Sequence, residues 1–343
     1  MVHTRRRHVL GTIAAALAAG AASGALPAAA QTTPAPVPPA AAFPSRPIRL
    51  IVPHAPGGNS DTFGRILAQK MGERIGQQVV VENRPGAGGT LGSAMVSKAA
   101  PDGYTLVVAD NGTHAIAPTL YGAKLNYDVF ADFTPITLAA TFPTVIMVHP
   151  SVPAQNAKEF VALAKSQPGK LTYSSAGTGN GSHLTVELFR AAAGGLDMVH
   201  VPYKGGAPAV QALLAGEVQL SSVSVNTALP HIQAGKVRAL AVANDQRLPQ
   251  LPDVPTLAEV GYPQLNLTSW IGIAAPAGTP DAAVQTLHKA VRQVAASPAM
   301  IANLKDRGVI PPEEMTPAAF EKMMAERMVK FGDVVKRAGI KAE

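Results

Sequence analysis

The stretch Ile48-Arg49-Leu50-Ile51-Val52-Pro53-His54-Ala55-Pro56-Gly57-Gly58-Asn59-Ser60-Asp61 sets the architecture of the chain. Its first five residues are apolar-rich and read as a buried strand. From Thr62 to Ile75, the positions Phe63, Ile66, Leu67, Met71 and Ile75 fall on one helical face. The loop between them therefore sits at the carboxyl end of a strand and the amino end of a helix. Gly57 and Gly58 let the backbone turn tightly and approach a ligand. The helix adds unpaired N–H groups and the positive end of its dipole. Two readings stand at this point: a cradle for a small anion, or a plain tight turn with Asp61 as an early-turn acid. Asn59, Ser60 and Asp61 place three polar side chains at one lip, more than a plain turn needs.

Outward from this loop the chain alternates strand and helix. Val79–Asn83 and Thr105–Ala109 read as further strands, with helix Thr90–Ala100 between them and the turn-like Asp110-Asn111-Gly112-Thr113 after them. Residues 134–150 run long and apolar, and a second series follows. Its helices are expected at 157–166, 182–193, 206–215 and 226–234. Its strands are expected at 171–175, 198–201, 218–222 and 237–242. After a Pro-punctuated stretch (Pro249, Pro252, Pro255, Pro263) come a strand at 267–274 and helices at 280–296, 298–307 and 317–338. The pattern predicts an α/β protein of two lobes, each a mainly parallel sheet flanked by helices, joined by two crossover strands. The expected division is 44–144 with 264–343 for lobe 1 and 145–263 for lobe 2. Ligands of open α/β sheets bind at the carboxyl ends of strands, here in the cleft between lobes.

Residues 1–30 read as a signal peptide: a basic Arg5-Arg6-Arg7, an apolar Val9–Ala22 and an Ala28-Ala29-Ala30 cleavage site. Both Sec and twin-arginine export fit. Residues 31–43 form a Pro/Ala-rich leader, and no later segment offers roughly twenty apolar residues. Three of the 29 basic residues lie in the signal, which leaves 26 against 22 acidic ones, a net charge of +4. They are scattered, without interleaved aromatics, which argues against nucleic-acid binding. With no cysteine, disulfides, thiolate metal sites, a cysteine nucleophile and a lipoprotein anchor are excluded.

A second glycine-rich loop, Ser174-Ser175-Ala176-Gly177-Thr178-Gly179-Asn180-Gly181-Ser182-His183, repeats strand, loop and helix start in the other lobe. It lacks the third glycine of a dinucleotide fingerprint, and Asp197 precedes its strand instead of ending it. His183 and Glu187 lie four apart on a helix without a third ligand, which favours a partnered structural histidine over a metal site. No Gly-x-Ser-x-Gly elbow or phosphate-loop motif occurs. Tyr203, Lys204 and Gly205 end another strand; a stacking and cationic role competes with an ordinary solvated loop. Trp270 reads as core packing rather than a cleft wall, and Asn111-Gly112-Thr113 and Asn266-Leu267-Thr268 as weak glycosylation matches. No catalytic residue, metal ligand or cofactor is assigned.

As a set, several segments resemble the Bug family, the periplasmic receptors of tripartite tricarboxylate transporters. They are Pro53–Asp61, Val81–Thr90, Ala100–Leu106, Val201–Ala207, Leu229–Ile232 with Gly235–Val242, and Leu251–Thr256. The resemblance spans about 44–340, in order. It implies a type II periplasmic-binding-protein fold and a monomer that holds a small mono-, di- or tricarboxylate and passes it to large and small membrane carrier subunits. A sensory receptor or, less readily, a secreted carboxylate-processing enzyme are the alternatives. The ligand residues it implies are His54, Ala55, Gly57, Gly58, Asn59, Ser60 and Asp61; Asp110, Asn111, Thr113 and His114; Ser175, Ala176, Gly177 and Thr178; Tyr203, Lys204 and Gly205; and Ser222 and Val223. Two positions depart from the family pattern. Ser222-Val223 stands where many members carry an aromatic-Asp pair, which disfavours an amino-acid ligand, and His54 stands where Phe or Tyr is common. A protonated His54 would favour an anion in mild acid.

Overall fold

The computed structural model of the protein describes residues 43–265, 268–337, 339 and 340. The expected signal peptide, nearly all of the leader and the Asn266 acceptor lie outside the described residues. The described chain carries strands β1 (Ile48–Val52), β2 (Val79–Asn83), β3 (Thr105–Asp110), β4 (Phe133–Phe142), β5 (Thr144–Val148), β6 (Leu171–Ser175), β7 (Met198–Pro202), β8 (Leu220–Ser224), β9 (Arg238–Ala243) and β10 (Ser269–Pro276). Its helices are α1 (Asn59–Ile75), α2 (Thr90–Ser97), α3 (Ala117–Tyr121), α4 (Ala157–Ser166), α5 (Gly181–Ala192), α6 (Gly206–Leu214), α7 (Val225–Gln233), α8 (Asp281–Ala295), α9 (Pro298–Asp306) and α10 (Pro317–Arg337).

The strands form two five-stranded sheets, in orders β2-β1-β3-β10-β4 and β7-β6-β8-β5-β9. In each, three strands pair in parallel and the remaining two pairings are antiparallel. The antiparallel half comes from the strands that carry the chain between lobes, which enter each sheet from the cleft side. Only Pro143 separates β4 from β5. On the return, the Thr268 hydroxyl donates to the Ala243 carbonyl at 3.4 Å, so the second crossing leaves beside the first. Thr144 is in register with Ala243, and Phe142 with Ser269.

Periodicity explains the burial. Phe63, Leu67 and Met71 of α1 recur at four-residue spacing and pack on Ile48, Leu50 and Val52, together with Leu287 and Val291 of α8. The other face of this sheet is covered by Phe320, Met324 and Phe331 of α10. In the second sheet, Phe160 and Phe189 cover one face, while Val210, Leu213 and Leu229 cover the other. Local signals end the helices where expected. Gly76, at φ 69°, closes α1 by donating to the Gly72 carbonyl. Asn156 opens α4 by accepting from the Glu159 N–H, and the Glu159 carboxylate reaches back to the Gln155 N–H. Helix α2 stops at Ser97, earlier than its sequence suggested, and β8 begins at Leu220 rather than Val218. Trp270 is core, edge-on to Phe320 at 5.5 Å.

Candidate ligand-binding cleft

The loop between β1 and α1 is held from within. The Gly57 N–H, at φ +85°, donates to Asp61 Oδ2 at 2.9 Å. Asp61 Oδ1 accepts from the Asn83 amide at 2.9 Å and the Arg65 guanidinium at 2.9 Å, and Asn83 also donates to the His54 carbonyl. Burial opposes the Asp61 charge, but these donors outweigh it and hold its pKa below the usual value. Asp61 thus fastens the loop to α1 and to the end of β2, and its carboxylate is spent there.

His54, Ser60, Asp110 and Thr113 form one network. His54 Nε2 lies 2.5 Å from Asp110 Oδ2, and the Ser60 hydroxyl lies 3.3 Å from the same oxygen. Asp110 Oδ1 accepts from the N–H and the hydroxyl of Thr113. Burial penalises the Asp110 charge, but His54 and the Thr113 N–H more than offset this and bring its pKa down to about 2. His54 is partly buried, which works against its cation, yet the facing carboxylate prevails and its pKa is raised. This pair puts an imidazolium at the lip in mild acid.

Other residues expected in the first lobe serve as framework. His114 is fully buried: Nδ1 lies 2.8 Å from the Thr113 hydroxyl, the ring packs edge-on to Phe133, and burial drops its pKa to about 4. Asn111 is also buried; its oxygen accepts from the Trp270 backbone N–H at 3.3 Å and its amide lies 3.5 Å from the Thr268 carbonyl. It ties the end of β3 to the return crossing. A π-helical turn at Gly112–Ile116 lets these consecutive side chains all turn inward.

Sequence reading did not place Gly88 and Gly89 among the site residues, yet they form a further wall. A Cβ on Gly89, at φ +96°, would lie 2.7 Å from the Thr113 methyl carbon and 3.0 Å from the His54 ring. The run Gly86-Ala87-Gly88-Gly89 was the available signal, and within it a side chain at Gly89 would crowd His54.

In the second lobe, the loop 175–180 and the end of β7 lie together, with the Tyr203 N–H donating to the Ser175 carbonyl at 3.1 Å. Ser175 is fully buried, with its hydroxyl 2.7 Å from His200 Nε2 and accepting from the Gly177 N–H at 3.2 Å. The Ala176 N–H donates to the Ser182 hydroxyl. Ala176, Gly177 and Thr178 are half-buried, whereas Lys204 is exposed and the Tyr203 hydroxyl reaches Glu217. Gly205, at φ +122°, precedes α6 in a conformation that favours glycine. Ser222 is buried with no partner for its hydroxyl among the described residues, and Val223 faces the core beneath α6 and α7. His183 is a partnered histidine stacked on His200, as its spacing to Glu187 suggested. Among the described residues, no three His, Cys, Asp or Glu side chains are grouped to hold a metal ion.

The lobes meet at Asn59. Its side-chain oxygen accepts from the Asn226 amide at 2.9 Å and faces the Thr227 hydroxyl at 3.5 Å, two residues that sequence reading had not singled out. Asn59 opens α1 and Asn226 lies in the first turn of α7, and no side chain caps either helix start. A Cβ on Gly181, the first residue of α5, would lie 2.8 Å from the Ser269 hydroxyl and 3.7 Å from the Asn111 amide nitrogen. The first turns of α1 and α7 thus meet across the lobes at Asn59, and Ala55, Gly57 and Gly58 nearby in the chain stay solvent-accessible. Positive helix ends repel one another and draw anions.

Comparison with known proteins agrees with this geometry. The family described as "Tripartite tricarboxylate transporter family receptor" matches residues 63–340. A protein of Pseudomonas sp. (strain P51), "UPF0065 protein in tcbD-tcbE intergenic region", is 42% identical over 78% of this chain and 79% of its own length. Protein BugT of Bordetella pertussis (strain Tohama I) is 33% identical over 87% of this chain and 91% of its own. Among solved structures, an R. palustris protein with adipate superposes with a TM-score of 0.81 at 32% identity, covering 87% of this chain and 99% of that one. MatC from Rhodopseudomonas palustris with bound malate gives 0.79 at 35% identity, covering 85% and 100%.

Proposed function

The chain belongs to the receptor family of tripartite tricarboxylate transporters, the Bug proteins, and on that footing we propose that it closes on a small carboxylate and hands it to a membrane carrier. The observation that carries this reading is the meeting of two uncapped helix starts, α1 and α7, through Asn59 and Asn226. Left empty, that junction sets two positive dipole ends against each other. A carboxylate between them satisfies their N–H groups and cancels the repulsion. His54, Ser60 and the Gly57–Gly58 backbone take one end of the ligand from lobe 1. The 175–178 loop, Tyr203–Gly205 and Ser222 face it from lobe 2, with Asn226 and Gly89 joining the set. Asp61, Asp110, Asn111, Thr113 and His114 shape the first jaw from behind.

The magnitudes are sufficient. Charge-assisted hydrogen bonds contribute about 1.5–3 kcal/mol each, and a helix start up to about 2 kcal/mol. Three or four such contacts, less the cost of closure, leave the roughly 8 kcal/mol of a micromolar complex. No covalent step is required. The same reading makes residues 1–30 an export signal, places the mature receptor in the periplasm as a monomer, and divides it at 144/145 and 263/264.

A thermal-shift screen of mono-, di- and tricarboxylates, with malate and adipate included, tests this. At a hundredfold excess over its Kd a ligand adds about 2.7 kcal/mol of stability, and at least one carboxylate is expected to raise Tm by several degrees. With uncharged and cationic solutes added to the panel, a screen in which only those shift Tm would overturn the reading.

A further inference from the structure

We propose that His183 and His200 are positioning residues for the second-lobe loop: His183 accepts from the Gly179 N–H, His200 backs the Ser175 hydroxyl that accepts from the Gly177 N–H, and the loop keeps its shape only while both imidazoles are uncharged. The inference rests on the receptor reading of the same cleft.

The loop is braced from within by the Asn180 N–H donating to the Gly177 carbonyl at 3.2 Å and by the Ser175 hydroxyl, 3.3 Å from the same carbonyl, and from beneath by histidine side chains. Gly177 and Gly179 take φ values of +132° and +72°, a region that favours glycine. Its N–H groups are anchored on two side chains beneath. The Gly179 N–H donates to His183 Nδ1 at 3.2 Å, and the Gly177 N–H donates to the Ser175 hydroxyl, which is 2.7 Å from His200 Nε2. Only an unprotonated nitrogen accepts a hydrogen bond, so His183 carries its proton on Nε2, which faces Glu187 Oε1 at 4.0 Å. The two rings stack with centroids 4.0 Å apart and 14° between planes, and Tyr173 stacks on His200 at 4.8 Å.

The nearby carboxylate, Glu187, is already engaged by other groups. Glu187 is taken by Arg190 at 2.5 Å and by the Tyr173 hydroxyl, so the carboxylate of α5 is already matched by a cation. From β6 the facing groups are Tyr173 and Ser175, from β7 His200 itself, and from α5 His183, Glu187 and Arg190. Burial first, and His183 second, bring the His200 pKa down to about 4. A proton on His183 Nδ1 would set a donor against the Gly179 N–H, and charging both rings would place two cations face to face. A proton on His183 therefore releases Gly179, and a proton on His200 reorganises the Ser175 contact that holds Gly177.

The test follows Gly177 and Gly179 directly. In protein labelled with 15N-glycine and 15N-histidine, without ligand, both amide signals are expected to move as the imidazole 15N signals titrate between pH 7 and 4. Gly179 exchange protection should fall about tenfold over that range. His183→Asn offers an oxygen near the Nδ1 position but does not titrate there; it should keep protection at pH 7 and flatten the acid response. His183→Phe should lose the protection throughout, and if it does not fold, His183→Asn carries the test alone. A Gly179 amide indifferent to protonation of both rings, or His183→Asn titrating like the parent, overturns the proposal. Calorimetry with malate and adipate on the same proteins separates the two readings. Amides that respond as stated, with no member of the carboxylate panel bound, sink the carboxylate reading and leave the positioning role standing. Binding with one pH profile in parent and His183→Asn sinks the positioning role alone.

Discussion

The side-chain amide of Asn226 donates to Asn59 Oδ1 across 2.9 Å, joining the first turns of two helices from different lobes. No side chain caps either helix start, so this bond joins two first turns whose positive ends carry no side-chain acceptor.

Breaking it should favour the open receptor. A net hydrogen bond is worth about 1 kcal/mol, so Asn226→Ala is expected to weaken ligand binding about fivefold. Its effect on Tm without ligand should stay within about 2 °C. Calorimetry against the best ligand of the carboxylate panel checks this, and unchanged affinity would remove Asn226 from the closure contact.

Asp61 and Ser60 are neighbours with different work. The Asp61 carboxylate is bonded to Gly57, Asn83 and Arg65, so Asp61→Ala leaves buried donors without an acceptor and should cost about 2–3 kcal/mol of stability. Ser60→Ala loses one long contact to Asp110 and should leave stability nearly unchanged while reducing affinity. Urea unfolding of both variants beside a binding titration separates the two; equal stability losses would contradict the division.

The His54–Asp110 pair gives stability a defined pH course. His54 has a raised pKa when folded, so its contribution is complete below its unfolded value near 6.5 and is lost as pH rises through the folded value. Asp110 has a lowered pKa, about 2, so its contribution is present above the ordinary value near 3.8 and is lost as pH falls toward 2. The Tm difference between the parent and His54→Asn should therefore be largest between about pH 4 and 6.5, and shrink on either side. A difference that is flat from pH 4 to 9 would show that the pair carries no charge.

Gly272 in β10 lies under Phe320 of α10. A Cβ there would stand 2.1 Å from the ring. Gly272→Ala should destabilise by about 2–3 kcal/mol through overpacking, and Phe320→Leu in the same chain should recover part of that loss. Additive losses in the double variant would argue that the clash relaxes elsewhere.

Local chemistry made much of this molecule legible. Helix α4 and strand β6 begin and end where the sequence pattern placed them, and Asn156 and Glu159 specify the start of α4 within four residues of sequence. The two glycine-rich loops announced themselves for the same reason. What stayed hidden depends on distance in sequence. Nothing near Asn226 distinguishes it until Asn59, 167 residues away, is brought against it. Asp61 and His114 have the residue types of ligand contacts, but their partners Asn83 and Phe133 come from other elements and turn them into framework. The antiparallel half of each sheet escaped because strand direction follows from which lobe the chain has just left, and no residue pattern in β5 or β10 records that.

The place of β10 between β3 and β4 has a consequence for how the chain is assembled. The second sheet is built from one uninterrupted segment and has all its strands once Ala243 is available. The first sheet lacks a middle strand until Pro276 is available, and until then β3 and β4 present bare, hydrogen-bonding edges to any extended chain nearby. Nascent or truncated molecules ending before Ser269 are thus the aggregation-prone species, and a holding chaperone would find its task in the first lobe.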